Sequence, residues 1–299
     1  MAFKIKTAGL ALLAASAVAV SAHADENLFG YVQGSETLPK GALEAYGWAT
    51  VRSDKGAGKY RATDYELELE YGVSDRFTAS GALLLMSLDT SGLVIDGYLP
   101  GARDFAVKPT GLEVKGKYNF LSPAKDDIGL SVQASGEYLW IDPHSGQDKD
   151  TLSASVNVIV QKYFLEGQMI WAGNAGMEAT YADRGEIANL PIGFDWPTDP
   201  EMEIELKAAT ALTYRFAPNW FVGGEALYET EFETEVGQER WSVFAGPTVH
   251  YGGPRWWATL SWMKQLRGGG ERYAGQTDND LHLIEKTKQE VRLKIGYNF

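Results

Sequence analysis

Hydrophobic and polar residues take turns along much of this chain. From Tyr65 the sequence runs Tyr-Glu-Leu-Glu-Leu-Glu-Tyr, so Tyr65, Leu67, Leu69 and Tyr71 share one face and Glu66, Glu68 and Glu70 the other. Met202, Ile204, Leu206, Ala208, Thr210, Leu212, Tyr214 and Phe216 repeat the pattern against Glu201, Glu203, Glu205, Lys207, Thr213 and Arg215. The last residues do so again, with Val291, Leu293, Ile295, Tyr297 and Phe299 opposed to Glu290, Arg292, Lys294 and Asn298. A period of two predicts β-strands rather than helices. Strands of soluble proteins usually run about 5–6 residues, whereas a tilted membrane strand needs about 9–11. The segment Glu201 to Phe216 exceeds both, and its apolar face ends in Tyr214 and Phe216, residues suited to a bilayer interface.

Turn-forming residues divide the pattern into twelve strands, at 42–52, 60–72, 76–88, 109–120, 127–141, 151–163, 166–173, 201–216, 219–233, 240–251, 255–267 and 286–299. Short turns fall at Gly72-Val73-Ser74-Asp75, Ser122 to Asp126, Phe164-Leu165-Glu166, Ala217-Pro218-Asn219 and Gly252-Gly253-Pro254. Longer polar stretches occupy 53–59, 89–108, 142–150, 174–200, 234–239 and 268–284. Five short turns and six long loops require an even strand number with both termini on the short-turn side, the plan of a closed antiparallel transmembrane β-barrel. The seventh strand has the briefest pattern, in Met169, Trp171 and Gly173. Pro247 falls inside the tenth, where the lost ladder hydrogen bond predicts a bulge or early fraying.

The first 24 residues read as an export signal. Lys4 and Lys6 precede an apolar run from Ala8 to Val20, and Ala22-His23-Ala24 supplies the small-x-small cleavage pattern, leaving Asp25 first. Removing Lys4 and Lys6 leaves 25 bases against 40 acids, a net charge of −15. So acidic a chain argues against nucleic-acid partners. The absence of cysteine excludes disulfides, thiolate catalysis, Cys-bound metal and a lipid anchor on Cys. No cofactor is indicated. The mature chain, from Asp25 to Phe299, reads as one barrel domain, and the piece from Asp25 to Lys40 would partly occlude the short-turn mouth.

The inward faces carry the candidate chemistry. Acidic positions are Asp64, Glu66, Glu68 and Glu70 on the second strand, and Glu201, Glu203, Glu205, Glu225, Glu229 and Glu231 on the eighth and ninth. Basic ones are Lys115 and Lys117 on the fourth strand, Arg215 on the eighth, and Lys286, Lys288, Arg292 and Lys294 on the twelfth, which meets Glu44 of the first on closure. Such charges either line a water-filled bore with an ion preference or pair across the lumen and fill it. Outward Leu67, Leu69, Val156, Val158, Leu206 and Leu293 are expected against lipid, and Trp171, Trp220, Trp256 and Trp262 in or near the interfacial girdles. The loop acids Glu229, Glu231, Glu233, Glu235, Asp148 and Asp150 are expected to be solvated, with cation binding the alternative.

The segment Val291 to Phe299 resembles the C-terminal assembly signal of bacterial outer-membrane barrels, with Leu293, Ile295, Tyr297 and Phe299 as its alternating apolar residues. Tyr71 to Phe77 is similar to their strand–turn–strand junctions, and Leu38 to Glu44 to the start of several barrel families of unassigned activity. The resemblance implies the outer membrane of a Gram-negative bacterium, its lipid and lipopolysaccharide as surroundings, and the barrel-assembly machinery as partner. It transfers no active site. Outer-membrane phospholipases are barrels of similar size with a Ser-His-Asn arrangement. Here Asp142-Pro143-His144-Ser145-Gly146 sets His beside Ser without their spacing or their Asn, and a solvated turn is expected. His250 is expected inside near the short-turn rim and His282 in or beside the last long loop, neither with metal-ligand spacing. The reading is a passive pore for small solutes; a closed barrel serving adhesion or structure is the alternative, and a lipid-active enzyme the third.

Overall fold

Twelve antiparallel strands close on themselves in the computed structural model, which describes residues 27–93, 101–185, 198–233 and 237–299. The export signal and Glu235 lie outside these residues. In chain order the strands are β1 (Leu43–Ser53), β2 (Lys59–Ser74), β3 (Phe77–Leu93), β4 (Gly101–Leu121), β5 (Gly129–Ile141), β6 (Asp148–Phe164), β7 (Met169–Arg184), β8 (Glu201–Ala217), β9 (Trp220–Glu233), β10 (Gly237–Gly252), β11 (Trp256–Gly270) and β12 (Gln289–Asn298). Each pairs with its sequence neighbours, and β12 pairs with β1 from Glu44↔Asn298 to Ser53↔Gln289, so no strand edge is left open.

The strands run from 10 residues in β12 to 21 in β4, longer than most soluble strands. Their alternation sorts the side chains. Leu67, Leu69, Leu112, Val156, Leu206, Leu260 and Leu293 are exposed on the outside. An exposed apolar belt of this extent is what a bilayer covers. At the short-turn rim aromatic rings form a girdle, with Tyr118 against Phe120, Tyr251 between Trp220 and Trp256, and Tyr297 against Phe299. Trp220, Trp256 and Trp262 face outward, and the Trp171 indole donates to Thr210 on the exposed surface.

Several boundaries differ from expectation. β7 continues to Arg184, through residues read as loop, because Asn174, Gly176, Ala175 and Ala179 alternate with too little contrast in polarity. β3 and β4 likewise extend into the stretch expected as a loop over 89–108. β12 starts at Gln289, which leaves Lys286 and Lys288 in the preceding loop. The β10–β9 register runs unbroken through Pro247↔Gly224; on the β11 side pairing skips Gly246 and Pro247 and resumes at Thr248↔Ser261 in the same phase. The expected bulge is thus absent at Pro247, and the nearest shift lies at Val243/Phe244.

Candidate functional site

Two buried apolar clusters lie inside the barrel, one near each rim, and each is completed by a segment that is not a wall strand. At the short-turn rim residues 27–40 enter the lumen as a strap. Leu28, Phe29 and Val32 are buried among Ile170, Ala172 and Ala211, with Tyr163 and Phe221 packed alongside. Burying three such side chains stabilises the seat by about 6 kcal/mol in sum. From there the strap follows the wall past β9, β7, β6, β5, β4 and β3, through contacts with Glu225, Asn174, Gln161, Ser131, Asn119 and Thr78. It leaves at Lys40, whose amide donates to Asp75 at 2.9 Å. Two glycines permit the close approaches: a Cβ on Gly30 would fall 2.4 Å from Ser261 Oγ, and one on Gly72 would fall 2.0 Å from the Pro39 carbonyl oxygen. The mouth is therefore crossed by the segment that the sequence reading placed there, within the described residues 27–40.

At the opposite rim the β11–β12 loop folds inward. Tyr273 and Leu283 complete a cluster with Tyr60, Ala62, Met86, Leu88 and Leu93. Lys55, fully buried, donates to the carbonyls of Ile284, Glu285 and Lys286 at 2.6, 3.0 and 3.2 Å. Gln265 binds the main chain of His282 on both sides, accepting from its N–H at 2.7 Å and donating to its carbonyl at 2.9 Å. Glu285 lies 3.0 Å from Arg240, which also meets Glu231, Glu239 at 2.8 Å and Glu203 at 3.6 Å. Burial pushes the Glu285 carboxyl up, but Arg240, His144 and Lys149 outweigh it and hold the carboxyl well below its usual range. Burial, opposed by Glu285, lowers His282 to about 3.

The turn at 142–147 joins this stopper and corrects the expectation of a solvated turn. Arg52 donates to the Pro143 carbonyl, Tyr60 to the His144 carbonyl at 2.9 Å, and His144 Nε2 lies 3.8 Å from Glu285. The Ser145 hydroxyl donates to Asp142, so its hydrogen bond goes to a carboxylate rather than to an imidazole. Activation of a serine by a Ser–His pair needs the latter contact.

Between the stoppers the wall is charged. Lys115 reaches Glu66, Glu68 and Glu113 at 2.9, 2.7 and 3.0 Å, and Tyr46 donates to Glu68. β3 separates Lys115 from the first two glutamates, and its facing residues Ser80 and Ala82 are short enough to leave the path open. Lys207 meets Glu205 at 2.9 Å and Glu178 at 3.7 Å, while Lys286 of the β11–β12 loop meets the wall at Glu229, 2.6 Å away, and Glu205, 3.9 Å away. Arg292 donates to Thr50 at 2.7 Å and lies over the rings of Tyr31 and Trp48.

Of the residues assigned to the lumen, Glu66, Glu68, Glu70, Lys117, Glu225 and Lys294 are buried inside, and Lys115, Glu203, Glu205, Arg215 and Arg292 are half-buried there. They fall into separate groups. Lys117, Glu225, Arg292 and Lys294 contact the strap, Lys294 through Asn27 at 2.5 Å. Glu203 joins the Arg240 group; Arg215, at the short-turn end of β8, joins none of these groups. Glu229 and Glu231, read both as inward residues of the ninth strand and as solvated loop acids, turn inward on β9. Asp148 and Asp150 are exposed on β6, and no described group of acids or histidines has metal-site geometry. His250 is buried inside near the short-turn rim and bonds Thr259 at 2.7 Å. Leu293, Ile295 and Tyr297 point outward on β12, and Phe299, just past its end, is exposed. Sequence reasoning missed Arg240 and the neutral side chains that hold the strap. The available signal for the latter was a set of inward Thr, Asn, Ser and Gln at the short-turn ends of β3 to β7.

The profile described as a family of unknown function (DUF6662) matches residues 21–299. The chain belongs to this family. No curated protein matches it in sequence. An outer-membrane channel from Pseudomonas putida F1 is similar in structure, with a TM-score of 0.53 and 13% identity over 89% of this chain and 98% of that one. The β-domain of the Bordetella autotransporter BrkA gives a TM-score of 0.51 and 15% identity over 87% and 100%. At such identities the likeness is one of fold: this family member is a closed, twelve-stranded barrel of the outer-membrane type.

Proposed function

We propose that the chain is an outer-membrane channel for small polar solutes, favouring cations and held shut at rest by the strap and the β11–β12 loop. One observation carries this reading. The wall between the stoppers is lined with charged groups, whose desolvation a barrel serving only as a scaffold has no reason to bear. Carboxylates also face each other directly on adjacent strands, at Glu44↔Glu70, Glu113↔Glu137, Glu178↔Glu205 and Glu205↔Glu231. Opposed like charges destabilise a sheet, and a passing cation relieves them. In this reading residues 1–24 are removed on export, the last strand directs assembly, and the short-turn rim faces the periplasm.

Conductance across a planar bilayer tests the channel. Glu66→Gln and Glu203→Gln are expected to shift the reversal potential in a KCl gradient toward zero; an unchanged value would mean that these carboxylates lie off the path. A second reading, a sealed barrel serving adhesion or structure, is favoured by stoppers at both rims. It gains if folded protein never conducts, even after Phe29 is truncated.

A further inference from the structure

The hydrogen bonds that seat the strap share a feature: the wall supplies mostly side chains, and the strap supplies main chain at about two-thirds of the contacts, with Asn27, Tyr31, Gln33, Ser35 and Thr37 adding side-chain bonds. Glu225 accepts from the amides of Gly30, Tyr31 and Val32 at 2.9, 2.7 and 3.0 Å. Arg292 donates to the Gly30 carbonyl at 3.1 Å. Asn174 pairs with Gln33 as one amide with another, accepting from its N–H at 2.7 Å and donating to its carbonyl at 3.0 Å. Gln161 accepts from the Ser35 amide at 2.6 Å, while Asn119, at 2.6 Å, and Ser131 donate to the Ser35 carbonyl. Thr259 donates to the Asn27 carbonyl at 2.7 Å, and Thr78 accepts from the Leu38 amide at 2.9 Å.

Main-chain groups are the same in every peptide, so this arc of wall reads a polypeptide largely without regard to sequence. Selectivity lies in the apolar hollow that takes Leu28 and Phe29, in Gly30, where a Cβ would meet Ser261, and in the side-chain contacts of Asn27 and Tyr31. A polar wall facing only water has no need of an Asn that matches both halves of a peptide unit, or of a carboxylate set against three successive amides. Such a run of N–H groups is an anion-binding nest, and here the wall provides the anion.

We infer that the short-turn end of the lumen is a binding site for oligopeptides carrying an adjacent apolar pair followed by glycine, and that the strap is its resident stand-in. This names the solute class for the proposed channel and rests on that reading only for passage, not for binding. Because the strap is tethered, it competes at an effective concentration of about millimolar, so a free peptide gains access chiefly when the strap is unseated.

The test uses the full mature chain folded in detergent, as wild type and as Phe29→Asp, whose carboxylate the apolar hollow rejects. Two fluorescein-labelled peptides serve as probes: the sequence of residues 27–38, and the same length with Asn27 to Tyr31 kept, since Gly30 has no room for a Cβ and Asn27 and Tyr31 bond the wall, and the other positions replaced by Ala and Ser. By anisotropy, Phe29→Asp is expected to bind both peptides at least about tenfold more tightly than wild type does. The two affinities should agree within about threefold. Adding Glu225→Gln should weaken both by about tenfold. Binding of neither peptide, or of the native sequence alone, overturns the inference. Should Phe29→Asp fail to fold, wild type is read by hydrogen exchange. Either peptide at millimolar concentration should then speed exchange of the amides from Gly30 to Ser35, and unchanged exchange is equally fatal. An unseated barrel that conducts but binds no peptide removes this inference and leaves the channel. One that binds peptide but never conducts removes the channel and leaves the site.

Discussion

The two rims of this barrel are closed by different physics. At the short-turn rim the strap is held by an apolar seat and by main-chain hydrogen bonds, about half to neutral side chains and the rest to single charges, Glu225 foremost. At the long-loop rim the inward loop has an apolar cluster and main-chain bonds to Gln265 too, but its other contacts run through the charged Lys55, Arg240 and Glu285 and through His144. Apolar contacts and neutral hydrogen bonds respond little to pH, whereas a buried ionic cluster depends on every partner keeping its charge. One stopper should therefore yield to mechanical or competitive displacement, and the other to changes in charge.

The largest expected effect tests the ionic side. Arg240→Ala leaves Glu203, Glu231, Glu239 and Glu285 without their shared cation and should cost about 3–5 kcal/mol. Hydrogen exchange should quicken at Leu281 to Glu285 while the strap amides stay protected; equal loosening at both rims would erase the distinction. Phe29→Ala acts on the other rim. It should remove about 3–5 kcal/mol from the strap seat, toward the lower end because neighbouring side chains can collapse on the space. Conductance should rise while the melting temperature of the barrel stays nearly fixed; a barrel that melts with its strap would show that the strap is part of the wall's core.

A smaller effect comes from pH. His282 titrates at about 3 in the folded loop and near 6.5 once released, so a released loop binds the proton more readily. Its contribution is complete above the unfolded value and is lost as pH falls from there toward 3. At pH 5 the long-loop stopper should be weaker by about 2 kcal/mol, with a lesser share from the more exposed His144. The Glu285 carboxyl, held low, keeps its charge through that window and weakens the loop only below about 4.5. Exchange rates corrected for intrinsic chemistry should rise at the loop and not at the strap, and His282→Gln should remove most of the response. Smallest is Glu225→Gln, expected to loosen the strap by about 1–2 kcal/mol, read as faster exchange at Gly30 to Val32 with no change at the loop.

Legibility in the sequence followed contrast in polarity. Strands that alternate Glu with Leu or Ile, such as β2 and β8, were readable almost to the residue, whereas β7 was cut short where Asn, Gly and Ala alternate. The inward faces of Glu66 and Lys115 followed from the same period, but their contact did not. Lys115 lies two strands from Glu66, and the pair meets only because β3 offers short side chains between them. His144 was misplaced for a related reason: a Pro-His-Ser-Gly turn looks the same in a sequence whether it projects into water or folds back over a lumen.

The chain alone settled what local chemistry can settle. A repeat of two, over lengths that span a bilayer and punctuated by Gly, Pro and Asn, determined the strands, their pairing order and which side chains face out. Tertiary structure decided how the interior is filled. The strap and the β11–β12 loop carry no periodic signal, since their places depend on surfaces supplied by strands all round the barrel, β1 and β12 included. Those surfaces exist only once β12 has paired with β1 and the wall has curved into a closed ring.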